Sequence, residues 1–553
     1  MGRVLLCWAV LACISGSAMG ATHKDTRWGF RIKVPKGWKQ AAMSATEEWI
    51  AAKFIGERAL EPKKSEYYVS EHPHIWVIGF PVARVDDRGA KVEKKGDKTT
   101  IEWKNPYKDY KDFVKRAMHL GGGYHFSKEE KETIDDVEVL QYEIKVEKGA
   151  AAPFRIVTWV YQYKDAHFAI HCKILEDHYG KYKSTFRSTL KSFRRIQREK
   201  AMPGSTTTGK KIIEVEDEED MTPEQKKKLR RERFEQLLRK EAEALPKGWY
   251  ELRSDHYVAL ANADKKFTKR ALDHAEAIRK YLDKQFGDIG SDYVPMGIIR
   301  VFATREEEQA FQGGTNWMWG PGVEQVLVTQ TVGGSDRAWE FEYLSSRLTS
   351  QYLSFKNSFL ADNMPYWFRE GLKQHMKFAR SKGKRVKIKP DEYDRQYIKD
   401  IIKAGKALPL KEMFEKGEAQ NMTLYQCGSV CSYLMTKGDR GKTKGAIQGY
   451  LRNLVSAIEK AESEYQSKAD ALKKEEEERA QAAAAASGAV VESEDEEGAE
   501  DDNSAAEAAW EKRKTAMKER SKAILEEAFQ RTFGELSDKD WDRLNRAWLK
   551  YAG

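Results

Sequence analysis

The sequence predicts an α+β protein with two domains, and three observations carry that prediction. The 553-residue chain is too long for one hydrophobic core, since single cores stop growing beyond about 250–300 residues. Short segments that alternate apolar and polar residues, as half-buried strands do, are concentrated in residues 24–197. Segments with helical periodicity dominate residues 246–454 and 516–553. We therefore expect an antiparallel-sheet domain followed by a mostly helical domain with a small mixed sheet.

The first twenty residues have the composition of an export signal. Arg3 supplies a positive end, residues 4–14 are apolar, and Ala18 and Gly20 offer small residues at the cleavage positions. Cleavage there would give a secreted or periplasmic protein of the cell envelope. Residues 10–13 also form an imperfect lipobox, so a lipid anchor at Cys13 is the alternative. The rest of the chain has no apolar run that could cross a bilayer, and we expect no membrane span.

Residues 24–197 are expected to form the first domain. Residues 28–38 alternate apolar and polar side chains before a Pro-Lys-Gly turn, which is typical of a strand with one buried face. Further strands are predicted at 74–80, 137–146, 154–163 and 167–174, with helices near 106–119 and 180–195. His167, His171 and Cys172 could suggest a metal, but the apolar residues around them favour a structural strand.

The opening of this domain carries a resemblance. Its pattern is Phe-x-Ile-x-x-Pro-x-Gly-Trp, from Phe30 to Trp38, and a run of antiparallel strands and a closing helix follow. This arrangement resembles the PsbP-like fold. Members of that fold mostly bind or assemble rather than catalyse, so the resemblance implies a binding role.

The remaining chain divides by composition. Residues 198–245 are expected to be a charged linker and helix, with a helix start at Thr222-Pro223. Residues 246–454 are the second domain, with strands near 249–252, 256–260, 296–302 and 323–331 and a helix over 267–286. Residues 455–515 are a low-complexity charged insertion, in which residues 473–486 favour helix and the acidic stretch 492–502 favours disorder. Residues 516–553 add helices that complete the second domain.

Charge and cysteine content restrict the function further. The net charge of +10 is spread through stretches of mixed sign, so we expect an ordinary solvated surface and no nucleic-acid partner. Attraction to acidic envelope surfaces is the alternative. Three cysteines follow the signal, which is too few for a disulfide framework. Cys427 and Cys431 share one face of a predicted helix and are expected to be small buried residues.

Residues 335–376 hold the most informative pattern in the chain. They predict a helix whose apolar face is formed by Leu344, Leu348, Tyr352 and Phe355. The opposite side of this helix carries three polar residues: Ser346, Arg347 and Ser350. A second helix follows with the sequence Trp-Phe-Arg-Glu-Gly-Leu at residues 367–372, which places Glu370 20 residues after Ser350.

These two helices resemble the core of a gluzincin metallopeptidase. In that family a helix with H-E-x-x-H precedes a helix with Trp-x-x-Glu-Gly-Leu. Its two histidines and the second glutamate bind zinc, and the first glutamate is the general base. An edge strand before the zinc helix pairs with the extended substrate. The resemblance thus implies a substrate-like groove formed by Val326, Leu327, Val328 and Trp367.

The chain departs from the family at the residues that do the chemistry. The H-E-x-x-H motif is replaced by Ser346-Arg347-Leu348-Thr349-Ser350. Serine hydroxyls are poor neutral zinc ligands, and Glu370 alone cannot hold a metal tightly. Arg347 would put a permanent cation where the general base belongs. We therefore expect a degenerate site without zinc, metal ligands or catalytic residues, in which Arg347 pairs with Glu370.

The favoured hypothesis is an exported, non-catalytic pseudo-peptidase that binds a peptide or protein or serves as a scaffold. One alternative is an active metal-dependent hydrolase with a different site, whose ligands would include His256, His274 or His375. The other alternative is a structural envelope protein.

Overall fold

A computed structural model describes the chain with gaps. The described residues are 19–44, 47, 50–63, 71–81, 90–95, 98–103, 109–118, 120, 123–148, 152–198, 213–216, 223–243, 245–290, 295–312, 325–330, 341–357, 360–389, 392–416, 423–437, 445–486 and 502–553. Most of the expected export signal, including Cys13, lies outside them, as does most of the acidic stretch 492–502. The chain forms two compact units. One comprises Met1–Trp249 and Thr304–Met318, and the other comprises Tyr250–Ala303 and Trp319–Gly553.

The first unit is built on antiparallel strands. Its strands are β1 (Met19–Asp25), β2 (Phe30–Pro35), β3 (Lys39–Gln40), β4 (Ile50–Ile55), β5 (His74–Pro81), β6 (Ala90–Lys95), β7 (Lys98–Trp103), β8 (Gly123–Ile134), β9 (Val137–Lys148), β10 (Phe154–Gln162), β11 (Ala166–Leu175), β12 (Arg194–Arg195) and β13 (Ile213–Glu216). Its helices are α1 (Tyr110–Ala117), α2 (Tyr179–Lys191) and α3 (Pro223–Glu243). The main sheet has the order β3-β4-β5-β11-β10-β9-β8, and β1-β2-β12 and β13-β7-β6 form two smaller sheets.

The main sheet is buried on both faces, and successive residues of its central strands enter different cores. On β5, Ile75 and Val77 join a core with α2 and β2, whereas Trp76 and Ile78 join a core with α1. Both cores need apolar side chains, so these strands are nearly continuous apolar runs. This explains why β4, with the sequence Ile-Ala-Ala-Lys-Phe-Ile, shows no alternation from which to predict it.

Several buried polar side chains of the first unit are paired with one another. The Lys53 ammonium lies 2.5 Å from the Glu47 carboxylate, and the two side chains are 0% and 3% exposed. The Tyr110 hydroxyl lies 2.6 Å from Thr158 Oγ1 and 3.0 Å from His171 Nδ1. Burial lowers the pKa of His171 to about 3, so this histidine is neutral. His171 is therefore a structural residue inside the sheet, as its strand pattern favours.

The second unit combines a small sheet with many helices. Its strands are β14 (Tyr250–Arg253), β15 (Tyr257–Ala261), β16 (Gly297–Phe302), β17 (Gln325–Thr329), β18 (Ala379–Lys382) and β19 (Arg385–Ile388). Its helices are α4 (Lys265–Phe286), α6 (Glu342–Lys356), α7 (Leu360–Asn363), α8 (Tyr366–Lys377), α9 (Glu392–Lys403), α10 (Leu410–Lys416), α11 (Leu424–Thr436), α12 (Ala446–Ala486), α13 (Asp502–Phe533) and α14 (Asp538–Ala552). Helix α5 (Arg305–Gln312) belongs to the first unit.

The sheet of the second unit is mixed, as expected. Its order is β14-β15-β16-β17, in which β14 is antiparallel to β15 and the other two pairings are parallel. Strand β17 is the edge, and α6 packs against it. The α+β class is therefore confirmed, with a large antiparallel sheet in the N-terminal half and a helical C-terminal half.

Helices α12 and α13 pair in antiparallel fashion. Asn453 donates to Thr532, and Lys460 lies 3.3 Å from Glu527, so the two helices run in opposite directions. Their core ends carry buried residues such as Leu454 and Ile524. Both helices continue across the compositional boundaries at 454/455 and 515/516. In the described part of the chain, no helix combines the length and apolar character needed to cross a bilayer.

Candidate functional site

The site is built on α6, α8 and the edge strand β17. Helix α6 turns Leu344, Leu348 and Tyr352 into the core, as its apolar face predicts. Ser346, Arg347 and Ser350 are half-buried on α6. The Ser350 hydroxyl lies near the Ser346 carbonyl, 3.4 Å away within the same helix.

Arg347 is directed at the edge strand. Its guanidinium donates to the Leu327 carbonyl at 2.5 Å. The side chains of Val326, Leu327 and Val328 are buried. A segment added to this edge would need the outward backbone groups of β17. Arg347 therefore competes with such a segment at the Leu327 carbonyl.

Glu370 pairs with two cations of its own helix. Its carboxylate lies 2.9 Å from Arg369 Nε and 3.1 Å from Lys373 Nζ. Burial raises the pKa of the Glu370 carboxyl, but Arg369 and Lys373 outweigh burial and hold the pKa below its ordinary value. Among the described residues, these two contacts replace the expected ion pair with Arg347. That expectation was wrong because Arg369 and Lys373, which lie on the same helix as Glu370, pair with its carboxylate instead.

Trp367 is a core residue and does not line an open groove. Its side chain is 0% exposed and stacks on Phe414, with ring centroids 4.1 Å apart. Tyr450 lies against the same ring at 5.6 Å. The assignment of Trp367 to a substrate-like groove is therefore corrected. A helical tryptophan can face either a core or a cleft, and only its neighbours decide which.

The glycine of the Trp-x-x-Glu-Gly-Leu sequence has a packing role. A Cβ atom at Gly371 would come within 2.6 Å of both the Cys427 carbonyl and Cys431 Sγ. Glycine therefore lets α8 approach α11 closely. Cys427 and Cys431 are free and buried, as expected from their spacing. Burial raises the pKa of the Cys427 thiol to about 12, so it stays protonated.

Two histidines of the second unit are buried against serines. His274 Nε2 lies 2.7 Å from Ser345 Oγ, and His274 Nδ1 lies 2.8 Å from Ser381 Oγ. His375 Nδ1 lies 2.8 Å from Ser432 Oγ. Burial lowers the pKa of each histidine to about 4. Within the described ranges, no three His, Cys, Asp or Glu side chains meet in an arrangement that could hold a metal ion.

A cavity that the sequence did not predict lies between α8, α9, α11 and α14. Its volume is about 190 Å³, and its lining includes Gln374, Phe378, Asp394, Ile398, Tyr425 and Tyr551. Sites for small molecules and cofactors usually measure about 300–1,000 Å³. A cavity of this size suits one or two side chains. Its polar wall is fixed, since Gln374 donates to Asp394 at 2.6 Å.

Exposed tyrosines adjoin this cavity. We call Tyr343, Tyr393, Tyr397, Leu424 and Tyr425 the tyrosine cluster. The rings of Tyr397 and Tyr425 are 4.4 Å apart, and those of Tyr393 and Tyr425 are 6.2 Å apart. Tyr343 and Tyr393 are 66% and 65% exposed. The large apolar side chains that the structure shows as exposed, namely Tyr343, Tyr393, Tyr397 and Leu424, all belong to this cluster.

Lys377 connects Tyr343 to the cavity. Its ammonium lies 5.9 Å from the ring of Tyr343 and 5.2 Å from the ring of Phe378. Tyr425 belongs to both the cluster and the cavity lining. The cluster and the cavity therefore form one continuous surface. The sequence feature that could have indicated this surface is the spacing of Tyr393 and Tyr397, which are one helical turn apart. The same spacing equally suits a buried helix face.

Comparisons with known proteins add weak structural neighbours over the N-terminal part. No family model matches the sequence, and no curated protein matches it. Cyanobacterial PsbP (CyanoP) from Synechocystis sp. PCC 6803 is 16% identical, with a TM-score of 0.23, over 35% of this chain and 99% of that chain.

Two further solved structures are similar at the same level. LpqN, described as involved in cell envelope biogenesis of Mycobacterium tuberculosis, is 10% identical, with a TM-score of 0.19, over 30% of this chain and 81% of that one. The Ran-binding protein Mog1p of Saccharomyces cerevisiae is 10% identical, with a TM-score of 0.21, over 32% of this chain and 97% of that one.

Proposed function

We propose that the second unit is a non-catalytic binding module of an exported protein, and that it binds a peptide or protein segment. The observation that carries this proposal is the tyrosine cluster, which exposes large aromatic side chains beside a cavity of about 190 Å³. Tyrosine is enriched at protein interfaces, where its ring adds contact area and its hydroxyl stays hydrogen-bonded. In this proposal an apolar side chain of the partner enters the cavity while the tyrosines cover the flanking residues.

The residues of α6 and α8 support a module without catalysis. If the unit descends from gluzincins, Ser346, Arg347 and Ser350 stand where that family has its histidines and general base. A guanidinium is always protonated and accepts no proton. The ligand set of the family is therefore reduced to Glu370, whose carboxylate is already engaged by Arg369 and Lys373.

The proposal moves binding away from the edge strand. Arg347 donates to the Leu327 carbonyl, so a strand-like ligand would have to displace that contact. The tyrosine cluster requires no such displacement. We therefore assign the ligand surface to α6, α8, α9 and α11 instead of the groove expected along β17.

A displayed library of random peptides tests the proposal on the full mature chain. Peptides selected on the unmodified protein should bind at least about tenfold more weakly to a Tyr393→Ser/Tyr397→Ser variant, since interface tyrosines often contribute more than 1 kcal/mol. The matched variant is Arg347→Ala, which frees the edge strand. It should leave the affinity unchanged.

Two results would contradict this assignment. Selected peptides that bind the Arg347→Ala variant more tightly, and that bind the tyrosine double variant as well as the unmodified protein, would place the site on β17. A purified protein that contains near-stoichiometric zinc and cleaves peptides would show that the unit is an active peptidase, with its ligands elsewhere.

A further inference from the structure

The hairpin formed by β18 and β19 has one buried face and one charged face. Strand pairing places Arg380 opposite Lys387 and Lys382 opposite Arg385. These four residues are exposed, whereas the alternating positions, including Ser381 and Val386, are half-buried or buried toward α4. The Ser381 hydroxyl contacts His274 of α4 at 2.8 Å, which anchors the inner face. The charged face therefore has a fixed orientation.

The charges on this face are all of one sign. Lys384 in the turn and Lys389 after β19 extend the set to six cations, and residues 371–389 contain no Asp or Glu. Like charges directly opposite each other on neighbouring strands destabilise a hairpin. Both cross-strand pairs of this face are of that kind. The arrangement thus costs stability in the free protein.

Four of these cations are not neutralised by acidic side chains in the described part of the unit. Across the described residues, Lys382, Lys384, Arg385 and Lys387 form no ion pair with an acidic side chain. Some exposed cations elsewhere on the same unit do have such partners, for example Lys411 with Asp538 at 2.9 Å. The cationic face is therefore complementary to an anionic surface that lies outside the chain.

We propose that this face docks the protein on an anionic phospholipid surface. The hairpin is a narrow two-stranded ribbon, and the cavity described above is lined by other elements. Four of its six cations are lysines, which act as flexible point charges. Arginine is the residue preferred for bidentate recognition of individual phosphates. Lysines on an exposed ribbon instead suit the diffuse charge of lipid headgroups.

Charge on such a surface acts additively. Each basic residue close to an anionic membrane strengthens binding by about fivefold, and the effect decays within a Debye length of roughly 10 Å at moderate salt. Six cations on one ribbon are enough for measurable binding without an apolar anchor. The proposal does not depend on the peptide-binding proposal, because the hairpin and the tyrosine cluster are different surfaces.

Co-sedimentation of the full mature chain with lipid vesicles tests the proposal. The protein should bind vesicles that contain phosphatidylglycerol, should not bind pure phosphatidylcholine vesicles, and should be released at about 1 M salt, where the Debye length is roughly 3 Å. A Lys382→Glu/Lys387→Glu variant should bind the anionic vesicles at least about a hundredfold more weakly, because the face loses four charge units.

This variant separates binding from folding. Each substitution turns a like-charge cross-strand pair into an opposite-charge pair, so the hairpin amides should exchange hydrogen no faster than in the unmodified protein. The matched control is Lys403→Glu/Lys406→Glu at the far end of α9, where both lysines are exposed. It carries the same change in net charge and should retain most of the binding.

Three outcomes would overturn the proposal. The unmodified protein could fail to bind anionic vesicles at low salt. Both double variants could lose binding equally, which would show that only net charge matters. The hairpin cations could bind RNA or heparin and leave vesicles unbound, which would assign the face to a soluble polyanion.

Discussion

Two exposed hairpins of this protein distribute charge in opposite ways. The β8–β9 hairpin of the first unit carries both signs, and Lys128 pairs with Glu130 at 2.8 Å while Lys131 pairs with Glu138 across the strands. The β18–β19 hairpin of the second unit carries cations alone, and they face one another in pairs. Ion pairs within the chain therefore neutralise these charges of the first hairpin. On the second surface, Lys382, Lys384, Arg385 and Lys387 have no acidic partner among the described residues, so an anionic partner outside the chain could neutralise them.

Inside the first unit, a buried charge is also paired within the chain. Lys53 on β4 is fully buried, and its ammonium is matched by the Glu47 carboxylate. A buried charge must be paired because its desolvation costs several kcal/mol. An exposed charge carries no such requirement, so unpaired cations persist only at the surface. The hairpin cations are therefore tolerated by the fold without contributing to it.

The turns of the two hairpins also differ. Asp135 and Asp136 of the first have positive φ values of 49° and 62°, as a type I′ turn requires. In the second hairpin only Gly383 is positive, at 58°. Both turns match the right-handed twist of their strands, but the aspartates adopt a conformation that is less favourable for them than for glycine.

The largest expected effect concerns the buried pair. A Lys53→Met substitution leaves Glu47 buried without its cation and should destabilise the first unit by about 3–5 kcal/mol. Urea titration of the full chain, followed by hydrogen exchange of the β4 amides, measures this loss. Lys131→Met on the exposed hairpin is the control and should cost less than about 1 kcal/mol.

A second substitution checks the cause of that loss. Lys53→Met combined with Glu47→Leu removes both charges and should recover a substantial part of the stability. If the double variant is as unstable as Lys53→Met, the loss reflects packing of the lysine stem, and the contrast between paired and unpaired charge is not supported.

Acid should lower the free energy of local unfolding of the β18–β19 hairpin. The expected change is smaller than that of Lys53→Met and larger than that of the turn substitutions. His274 beneath it has a folded pKa of about 4, below its ordinary 6.5, because burial disfavours the charged form. Its contribution to stability is therefore complete above pH 6.5 and is lost as the pH falls toward 4. At pH 5 the loss is about 2 kcal/mol.

Hydrogen exchange of residues 379–388 at pH 7 and pH 5, corrected for intrinsic rates, measures this effect. A His274→Asn variant removes the titrating group, so its protection should depend less on pH. Equal pH dependence in the variant and the unmodified protein would rule out His274 as the cause.

The smallest effect concerns the turns and has opposite signs in the two hairpins. Gly383→Ala should destabilise its hairpin by roughly 1 kcal/mol, since a Cβ at this φ is strained although it meets no neighbouring atom within 4 Å. Asp136→Gly should stabilise the other hairpin by up to about 1 kcal/mol. Local hydrogen exchange of each hairpin gives both values. A stabilising Gly383→Ala substitution would contradict the turn assignment.

Sequence periodicity identified many of the elements but missed those without a simple period. Strands β5, β9, β10 and β11 lie close to their predicted ranges. Strand β4 was missed because it is buried on both faces, and the β18–β19 hairpin was missed although Val386 and Ile388 alternate with cations. Lysine and arginine are so common on solvated surfaces that this alternation could not be separated from an ordinary polar stretch.

The sequence also predicted only part of the candidate site. The sequence placed Ser346, Arg347 and Ser350 opposite the apolar face of α6, since helical geometry fixes which residues share a face. It could not give the partners of Arg347 or Glu370, which depend on side-chain reach across several elements. The cavity and the tyrosine cluster require α8, α9, α11 and α14 to meet, and residues as distant as Phe378 and Tyr551 contribute to them.

The sequence by itself determined the α+β class, the apolar faces of the helices and the replacement of H-E-x-x-H by a sequence without ligands. These properties follow from local periodicity and residue chemistry. Only the tertiary structure decided that Trp367 is buried, that Gly371 lets two helices approach closely and that six cations share one exposed hairpin. Such outcomes depend on which residues distant in sequence come into contact, and the local sequence of one segment does not specify those contacts.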